Sequence, residues 1–437
     1  MAKQKRFNRA APDARQDLLT LLRNRKMARS PHAYVRGATM RFYDWLSAFG
    51  AEAIPSGPPI WICGDCHLGN LGPVADANGA VEIQLRDFDQ TVIGNPAHDL
   101  IRLGLSLASA ARGSNLSGKT TSTMLEQLVV GYASAFAGDT DTPLRIPKPD
   151  PVRIVLKSAT ARSVKHLRRE RTEGEREHLP LGRRFWPLAP DELDDIRALC
   201  EQDTMRKLVT SLKHRPDDAT VRMLDAAYWV KGCSSLGKLR YAVLLEIDSD
   251  AARRDDFCMI DIKEAARAAA PRDKDFAMPR DNGERVVTGA RALSPYLGER
   301  MFATRVAGHA AFVRELLPQD LKIDIESLNA TKAGAVALYL ASVVGRAHAR
   351  QMDAATQRRW ATELRRNTTT RAWMRLPGCG AAWSTCSATT KSATSSIAAG
   401  SPPASSPSRA RRHEPALWCG YACARKVSIS PSIGSGR

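Results

Sequence analysis

The feature that most constrains this chain is the segment WICGDCHLGNLG, residues 61–72, in which a short apolar run leads into a polar loop. Its residues fit three different chemistries. Cys63, Cys66 and His67 form C-x-x-C-H, which is typical of covalent haem attachment. The two cysteines alone could be a redox pair or half of a zinc site. Gly64 to Asn70 follow G-D-x-H-x-x-N, a pattern that can hold a metal-bound phosphate.

The N-terminus and the other cysteines argue against the first two chemistries. The first residues, MAKQKRFNRAAPDARQDLL, are basic without an apolar core, so they predict no secretory signal and the expected location is cytoplasmic. Haem attachment normally takes place outside the bacterial cytoplasm. Zinc needs about four ligands, yet Cys200, Cys233 and Cys258 are scattered singly. A thioredoxin-like pair remains an alternative.

The formal charge of +19 would ordinarily indicate nucleic acid or acidic membranes as partners. Residues 368–437 supply +8 of it, from nine Lys or Arg and one acid. Much of the rest lies in arginine-rich stretches such as KSATARSVKHLRRERTEGERE, where a solvated helix face is the favoured explanation. No nucleic-acid-binding motif accompanies the charge, and no run approaches the roughly 20 apolar residues of a membrane helix. Neither partner is therefore expected.

Composition and periodicity divide the chain into five parts. They are a helical part with the polar loops at 1–140, a charged helical connector at 141–220, a β-rich lobe at 221–324, a further helix at 325–366 and a tail at 367–437. Residues 152–230 are expected to be mainly helical. The tail lacks periodicity and is rich in Ser, Ala, Arg and Pro, which predicts disorder. Its tryptophans and cysteines suggest the product of a frameshift.

Oxygen-bearing side chains follow two neighbouring predicted strands. Asp65 ends the strand segment PPIWICGD and Asn70 follows in the loop, and a turn at 78–79 leads through VEIQL to Asp87 and Asp89. A connection of this length brings the two loops side by side, and carboxylate and amide oxygens suit Mg²⁺. Asp65 is then free to orient or deprotonate a hydroxyl, a division of roles used in phosphoryl transfer. Asp89 is equally consistent with a turn.

The segment GDCHLGN…LRDFDQTVIGNPAHDL, residues 64–100, closely resembles the core of aminoglycoside phosphotransferases and choline-kinase-like enzymes. Their pattern runs G-D-x-H-x-x-N, then I-D-F/W-E/D, then G-D-P-x-x-D-L. The stretches RSPHAYVRGA, SSLGKLRYAVLLE, IKEA and GRAHAR resemble the uncharacterised bacterial family called domain of unknown function 2252, over most of residues 20–355. The first resemblance implies an α+β, protein-kinase-like two-lobed fold that uses ATP and Mg²⁺.

The same resemblance implies roles for single residues. Asp65 would be the catalytic base or would orient the acceptor hydroxyl, and His67 would position the catalytic loop. Asn70 and Asp87 would bind Mg²⁺, while Asp99 would brace the loop through backbone amides. Asp99 as a helix cap and His67 as a buried structural histidine are the alternatives.

A nucleotide clamp is expected later in the chain, in KGCSSLGKLRYAVLLEI…FCMIDIKEA. Gly232, Ser235 and Gly237 would let backbone N–H groups approach phosphates, and Lys263 on the next strand would reach the α- and β-phosphates. A P-loop is rejected, because Leu239 stands where Ser or Thr must bind Mg²⁺. The order of the lobes is then permuted, with the catalytic segment first. An ordinary hairpin turn with an exposed Lys263 is the alternative.

Four basic residues are further candidates for contacts with phosphate or substrate: Arg36 in YVRGA, and Arg346, His348 and Arg350 in GRAHAR. The favoured expectation is that the arginines pair with acids and that His348 packs on a buried helix face.

Together these features predict a phosphotransferase that binds ATP, Mg²⁺ and an unknown hydroxyl acceptor. The alternatives are a non-catalytic nucleotide-binding or regulatory module of the same fold, a basic nucleic-acid-associated protein, and a C-x-x-C redox or metal protein. The sequence indicates neither the acceptor nor the oligomeric state.

Overall fold

Runs of helices and runs of antiparallel strands follow one another in the computed structural model, which describes residues 12–48, 54–136, 146–162, 178–233, 236–248, 256–319, 321, 323 and 328–369. The helices are α1 (Pro12–Met27), α2 (Pro31–Gly37), α3 (Thr39–Ala48), α4 (Ala97–Gly113), α5 (Gly118–Ala133), α6 (Asp150–Thr160), α7 (Pro190–Cys200), α8 (Asp203–Thr210), α9 (Asn282–Leu293), α10 (Pro295–Gly298), α11 (Ala330–Ala349) and α12 (Ala354–Thr369). The strands are β1 (Ile60–Ile62), β2 (Leu71–Ala75), β3 (Val81–Leu85), β4 (Val92–Gly94), β5 (Phe185–Trp186), β6 (Thr220–Trp229), β7 (Arg240–Asp248), β8 (Asp256–Glu264), β9 (Met301–Val306) and β10 (His309–Glu315). The α+β class is confirmed.

The largest sheet has six antiparallel strands in the order β5-β6-β7-β8-β10-β9. One face packs against α7 and α8 in a shared apolar cluster, to which β8 contributes Ile260 and Ile262. Since successive side chains of a strand point to opposite faces, Asp261 and Lys263 of β8 lie on the other face. That polar face is the part of the sheet that contributes to the site described below.

The expectation that residues 152–230 are mainly helical is wrong at its end. Strands β5 and β6 occupy 185–186 and 220–229, and β6 pairs with β7 from Thr220 opposite Asp248 to Tyr228 opposite Tyr241. An irregularity between Met223 and Asp225 shifts the register. A bulge of this kind interrupts the two-residue alternation that would reveal a strand in the sequence.

Helices α5 and α11 pack at very short range through two glycines. A Cβ atom on Gly131 would lie 2.0 Å from the carbonyl oxygen of Leu338, and one on Gly345 would lie 2.6 Å from that of Tyr132. The backbones of the two helices are therefore in direct contact. Helix α11 falls within residues 325–366, the region expected to be helical.

Two small hairpin-like sheets carry the polar loops: β1 pairs with β4, and β2 pairs with β3. The predicted turn at 78–79 joins β2 to β3, with Gly79 at a φ of +85°. The described residues all lie within the compact unit Met1–Thr394. Residues 137–145 and 370–437, which include part of the predicted connector and almost all of the predicted tail, are outside the described residues. No described helix has the length and apolar character needed to cross a membrane.

Candidate active site

The first polar loop runs from Cys63 to Asn70 and turns at Gly64. The φ of Gly64 is +73°, in the left-handed region that favours glycine. A Cβ atom there would lie 2.1 Å from the carbonyl oxygen of Gln90, so the second polar loop packs directly against the turn. The hydroxyl of Tyr43 donates to the Gly64 carbonyl at 2.6 Å. Conformation and packing both require glycine here.

Asp99, in the first turn of α4, holds the start of this loop. Its Oδ2 accepts a hydrogen bond from the backbone N–H of Cys63 at 2.7 Å, and its Oδ1 accepts one from Gly64 at 2.9 Å. The Asp99 side chain is fully buried. It does not cap α4, whose N-cap position is Pro96. The carboxylate therefore fixes two successive amides immediately before Asp65.

The second loop, residues 86–90, lies against the first. The backbone N–H of Arg86 donates to the Asn70 carbonyl at 2.9 Å, and the Cys63 thiol contacts the Asp87 carbonyl at 3.2 Å. The Asn70 side-chain amide donates to the backbone carbonyl of Asp65 at 2.9 Å. This bond orients the Asn70 side chain, and its amide oxygen stays available as a ligand.

Lys263 reaches these loops from the six-stranded sheet. Its Nζ lies 3.1 Å from Asp87 Oδ1 and 2.6 Å from Asp89 Oδ2. The lysine side chain is 4% exposed, so the alternative of a solvent-exposed Lys263 is wrong. Glu264 belongs to the opposite face of β8 and accepts a hydrogen bond from the backbone of Leu239.

Two arginines extend the positive charge around Asp87. Arg240 and Arg314 bind the buried Asp261 at 2.6 and 3.1 Å, and Arg314 also donates to the Arg86 carbonyl at 2.9 Å. The Asp87 side chain is 39% exposed, so its burial is only partial. Partial burial would raise the pKa of Asp87, but Lys263, Arg314 and Arg240 hold it below its ordinary value. The site therefore keeps Asp87 ionised.

The pKa values of Asp89 and Lys263 are raised, in contrast to that of Asp87. Burial and the neighbouring charge of Asp87 raise the pKa of Asp89. Burial would lower the pKa of Lys263, but the charges of Asp87 and Asp89 raise it above its ordinary value. Lys263 is therefore a permanent ammonium ion near pH 7.

A small cleft lies where the loops meet, lined by Asp65, Asn70, Asp87, Asp89, Gln90 and Lys238. The Oδ1 atom of Asp89 is buried and has no hydrogen-bond partner among the described residues. Such an oxygen is unfavourable unless a cation or donor reaches it.

No group of three or more His, Cys, Asp and Glu in the described chain is arranged to hold a metal ion. Mg²⁺ commonly takes one or two carboxylates and completes its shell with phosphate and water, so these residues fit Mg²⁺ that arrives with a phosphorylated ligand.

Asp65 is held by a buried arginine. The Nε and Nη2 atoms of Arg102 lie 2.8 and 2.7 Å from Asp65 Oδ1, and Nη2 also donates to the Val35 carbonyl. His67 Nε2 lies 3.8 Å from the other oxygen, Oδ2. Burial lowers the pKa of His67 to about 4, so this imidazole is neutral near pH 7. Arg102 thus orients Asp65 through one oxygen.

The predicted glycine-rich turn is close to the cleft. Gly232 and Gly237 have φ values of +90° and +101°, and the Gly232 carbonyl accepts a hydrogen bond from Lys26 Nζ at 2.9 Å. Ser235 lies outside the described residues. Lys238, directly after Gly237, lines the cleft beside Asp87, so the turn and the polar loops converge.

Residues 15–375 match the model of DUF2252, a family described as an uncharacterized protein conserved in bacteria. The chain belongs to the DUF2252 family. No curated protein and no solved structure matches it significantly.

Two residues of this DUF2252 site were not singled out from the sequence. Lys238 ends the G-x-x-x-x-G-K pattern of residues 232–238, which was rejected as a P-loop. Its position directly after Gly237 could have indicated a role at the cleft. Arg102 follows Asp99 by three residues on α4, so both lie on one helix face. Asp89, which from the sequence could have been only a turn residue, contacts Lys263.

The cysteines of the DUF2252 loop lack the properties of a redox pair. Cys63 and Cys66 are free thiols and fully buried. Burial raises the pKa of both, whereas reactive thiols have a lowered pKa and access to solvent. They act here as small packing residues, with Cys63 joining the two loops.

The GRAHAR arginines do not form the expected ion pairs with described acids. Arg346 donates to the Ser342 hydroxyl and Arg350 to the Leu293 carbonyl, each at 3.1 Å. His348 is buried in the core as expected, and it contacts Asp99. This DUF2252 motif therefore supports the first polar loop through the contact of His348 with Asp99, and it does not line the cleft among the described residues.

Proposed function

We propose that this DUF2252 protein is an ATP- and Mg²⁺-dependent phosphotransferase with a protein-kinase-like, two-lobed fold in which the order of the lobes is permuted. The observation that carries the proposal is the contact of Lys263 with Asp87 and Asp89. Lys263 and Asp87 are 176 residues apart in the chain. A buried lysine that meets two carboxylates, beside Asn70 and Asp65, is the group of side chains that phosphoryl transfer uses.

Each side chain has a task in this proposal. Lys263 binds the α- and β-phosphates, and Lys238 adds a second positive charge at the cleft. Asn70 and Asp87 hold Mg²⁺, which supplies further positive charge to the phosphates when it is bound. The turn from Gly232 to Gly237 lets backbone N–H groups approach the nucleotide.

The reaction needs one proton acceptor. The acceptor hydroxyl oxygen forms a bond to the γ-phosphorus while the bond from that phosphorus to the bridging oxygen breaks, and ADP leaves with the electron pair. The hydroxyl proton passes to Asp65 Oδ2, the oxygen that Arg102 does not bind. Arg102 and the bond from Asn70 to the Asp65 carbonyl keep this oxygen in place.

Titration calorimetry of ATP into the full chain, with and without Mg²⁺, tests the proposal. We expect magnesium-dependent binding that Asp87→Ala abolishes, because this substitution removes a metal ligand. Asp76→Ala, which deletes a half-buried turn carboxylate outside the cleft, is the matched control and should bind as the parent does. Equal binding by Asp87→Ala and the parent protein would rule out Asp87 as a metal ligand.

A second candidate function is a nucleotide-binding module without catalysis. The observation that favours it is the ion pair of Asp65 with Arg102, because this contact occupies one oxygen of the carboxylate that would accept the proton. Release of ADP from bound Mg·ATP, measured with and without hydroxyl-bearing acceptors, distinguishes the two. The phosphotransferase proposal expects turnover that Asp65→Asn removes while binding persists. Tight binding without any ADP release would favour the module.

A further inference from the structure

Arg36 lies where the first polar loop, residues 63–70, meets the glycine-rich turn, residues 232–237. A Cβ atom on Gly69 would lie 3.1 Å from the Cζ, Nε and Nη2 atoms of Arg36, so the guanidinium covers the loop just before Asn70. The next residue of α2, Gly37, is equally close to the turn, because its Cβ atom would lie 3.0 Å from Cys233 Sγ. Arg36 therefore stands beside both segments that the proposed reaction uses.

Arg36 has no ion-pair partner among the acids that the structure describes. Its Nε atom is buried without a hydrogen-bond partner in the described part of the chain. Its charged neighbour Lys26 is also positive, and it donates to the Gly232 carbonyl. An unpaired guanidinium nitrogen that is removed from water is unfavourable unless an acceptor reaches it.

A second unpaired donor or acceptor lies on the same loop. His67 is 4% exposed, and its Nδ1 atom has no hydrogen-bond partner among the described residues. Arg36 is close enough to His67 to disfavour a charged imidazole. In the tautomer with a proton on Nδ1, His67 can donate to an anion. Arg36 and His67 thus lie together at the loop, and Lys26 lies beside Arg36 at the glycine-rich turn. Among the described acids none forms an ion pair with Arg36.

We propose that Arg36, assisted by Lys26 and His67, binds a phosphate-type oxyanion carried by the acceptor substrate. The acceptor would then be an anionic hydroxyl compound, held by its anion at Arg36 with its hydroxyl near Asp65. This inference rests on the proposed function for the identity of the reaction. The binding of an oxyanion at Arg36 can be tested without it.

Inorganic phosphate is the probe, titrated into the full chain by calorimetry at constant ionic strength. We expect saturable binding that Arg36→Gln weakens by about tenfold or more, the effect of losing a charge-assisted hydrogen bond. Arg36→Lys should retain part of the binding because it keeps the charge. Arg41→Gln, which removes an exposed arginine of α3, is the control and should bind as the parent does.

The melting temperature of each variant shows whether it is folded. Binding that is equal in the parent and in folded Arg36→Gln, or no binding by the parent, would overturn the site.

A second titration, in the presence of Mg²⁺ and a saturating non-hydrolysable ATP analogue, identifies the source of the anion. We expect phosphate binding to persist. Competition would identify the oxyanion as the terminal phosphate of the nucleotide and would overturn the acceptor assignment. Failure of the analogue to bind would reject the proposed function, whereas the Arg36→Gln comparison would still decide the oxyanion site.

Discussion

His348 Nε2 lies 3.2 Å from Asp99 Oδ2, and both side chains are completely buried. The other ring nitrogen, Nδ1, lies 2.8 Å from the Tyr132 hydroxyl, whose oxygen accepts a hydrogen bond from Trp360 at 3.2 Å. Indole is only a donor, so the tyrosine proton is directed at Nδ1 and the histidine donates through Nε2. Three helices thereby orient the carboxylate that holds Cys63 and Gly64.

Loss of the Asp99 carboxylate should destabilise the fold strongly. Asp99→Ala leaves two buried backbone amides and His348 without their acceptor, and we expect a loss of about 3–5 kcal/mol, as for other buried charged partners. Denaturant unfolding measures it. Asp353→Ala is the comparison, because Asp353 is an exposed carboxylate that accepts from the Thr356 amide. Its removal should lower the free energy of unfolding much less than Asp99→Ala does, because water replaces the lost hydrogen bond, and equal losses in the two variants would contradict the role of Asp99.

Gly64 should tolerate alanine far less well than Gly79. Both residues have a positive φ, but a Cβ on Gly79 meets nothing within 4 Å, whereas one on Gly64 collides with Gln90. Gly79→Ala should cost about 1–2 kcal/mol from its backbone conformation. Gly64→Ala adds the overpacking of two loops, for a total of about 3 kcal/mol or more. Thermal and denaturant unfolding of both variants would show whether the loops are in contact, and a similar cost would mean that they are not.

Stability should fall in mild acid because of His67. Its pKa is lowered from the ordinary 6.5 to about 4 in the folded protein, so the folded state binds fewer protons than the unfolded state. The contribution of neutral His67 is complete above about pH 6.5 and is lost as the pH falls towards 4, at up to about 1.4 kcal/mol per pH unit.

His67→Gln removes this titration, so its free energy of unfolding should change less between pH 6.5 and 4 than that of the parent. His309→Gln, at a histidine whose side chain is 57% exposed, is the control and should follow the parent. Denaturant unfolding at several pH values gives the comparison. Parallel curves for the parent and His67→Gln would show that His67 is not buried in neutral form.

Cys63→Ser with Cys66→Ser should preserve magnesium-dependent ATP binding within about twofold. A serine hydroxyl at position 63 can still donate to the Asp87 carbonyl, now contacted by the thiol, and hydroxyl and thiol differ little in size. In the parent protein both thiols should react with a thiol reagent only after unfolding, since both are buried. Loss of function in the double variant together with fast thiol labelling would favour the redox alternative.

The local part of the site follows from the sequence. The strand before Gly64, the turn at 78–79, the strand that leads to Asp87 and the helix that carries Asp99 are each determined by residues within about ten positions of one another. Apolar alternation, a glycine turn and helical periodicity are short-range properties. The sequence therefore predicts that the two polar loops lie side by side. It does not reveal β6, whose pairing with β7 is long-range and interrupted by a bulge.

The sequence by itself thus determined an α+β protein of the DUF2252 family with two adjacent polar loops. Only the tertiary structure decided which charges meet there. Lys263 contacts Asp87 and Asp89, Arg102 holds Asp65, and Arg36 is left without an acidic partner among the described residues. The strength of a charge pair depends on the distance between the two groups and on how much water separates them. The spacing of residues along the chain determines neither quantity.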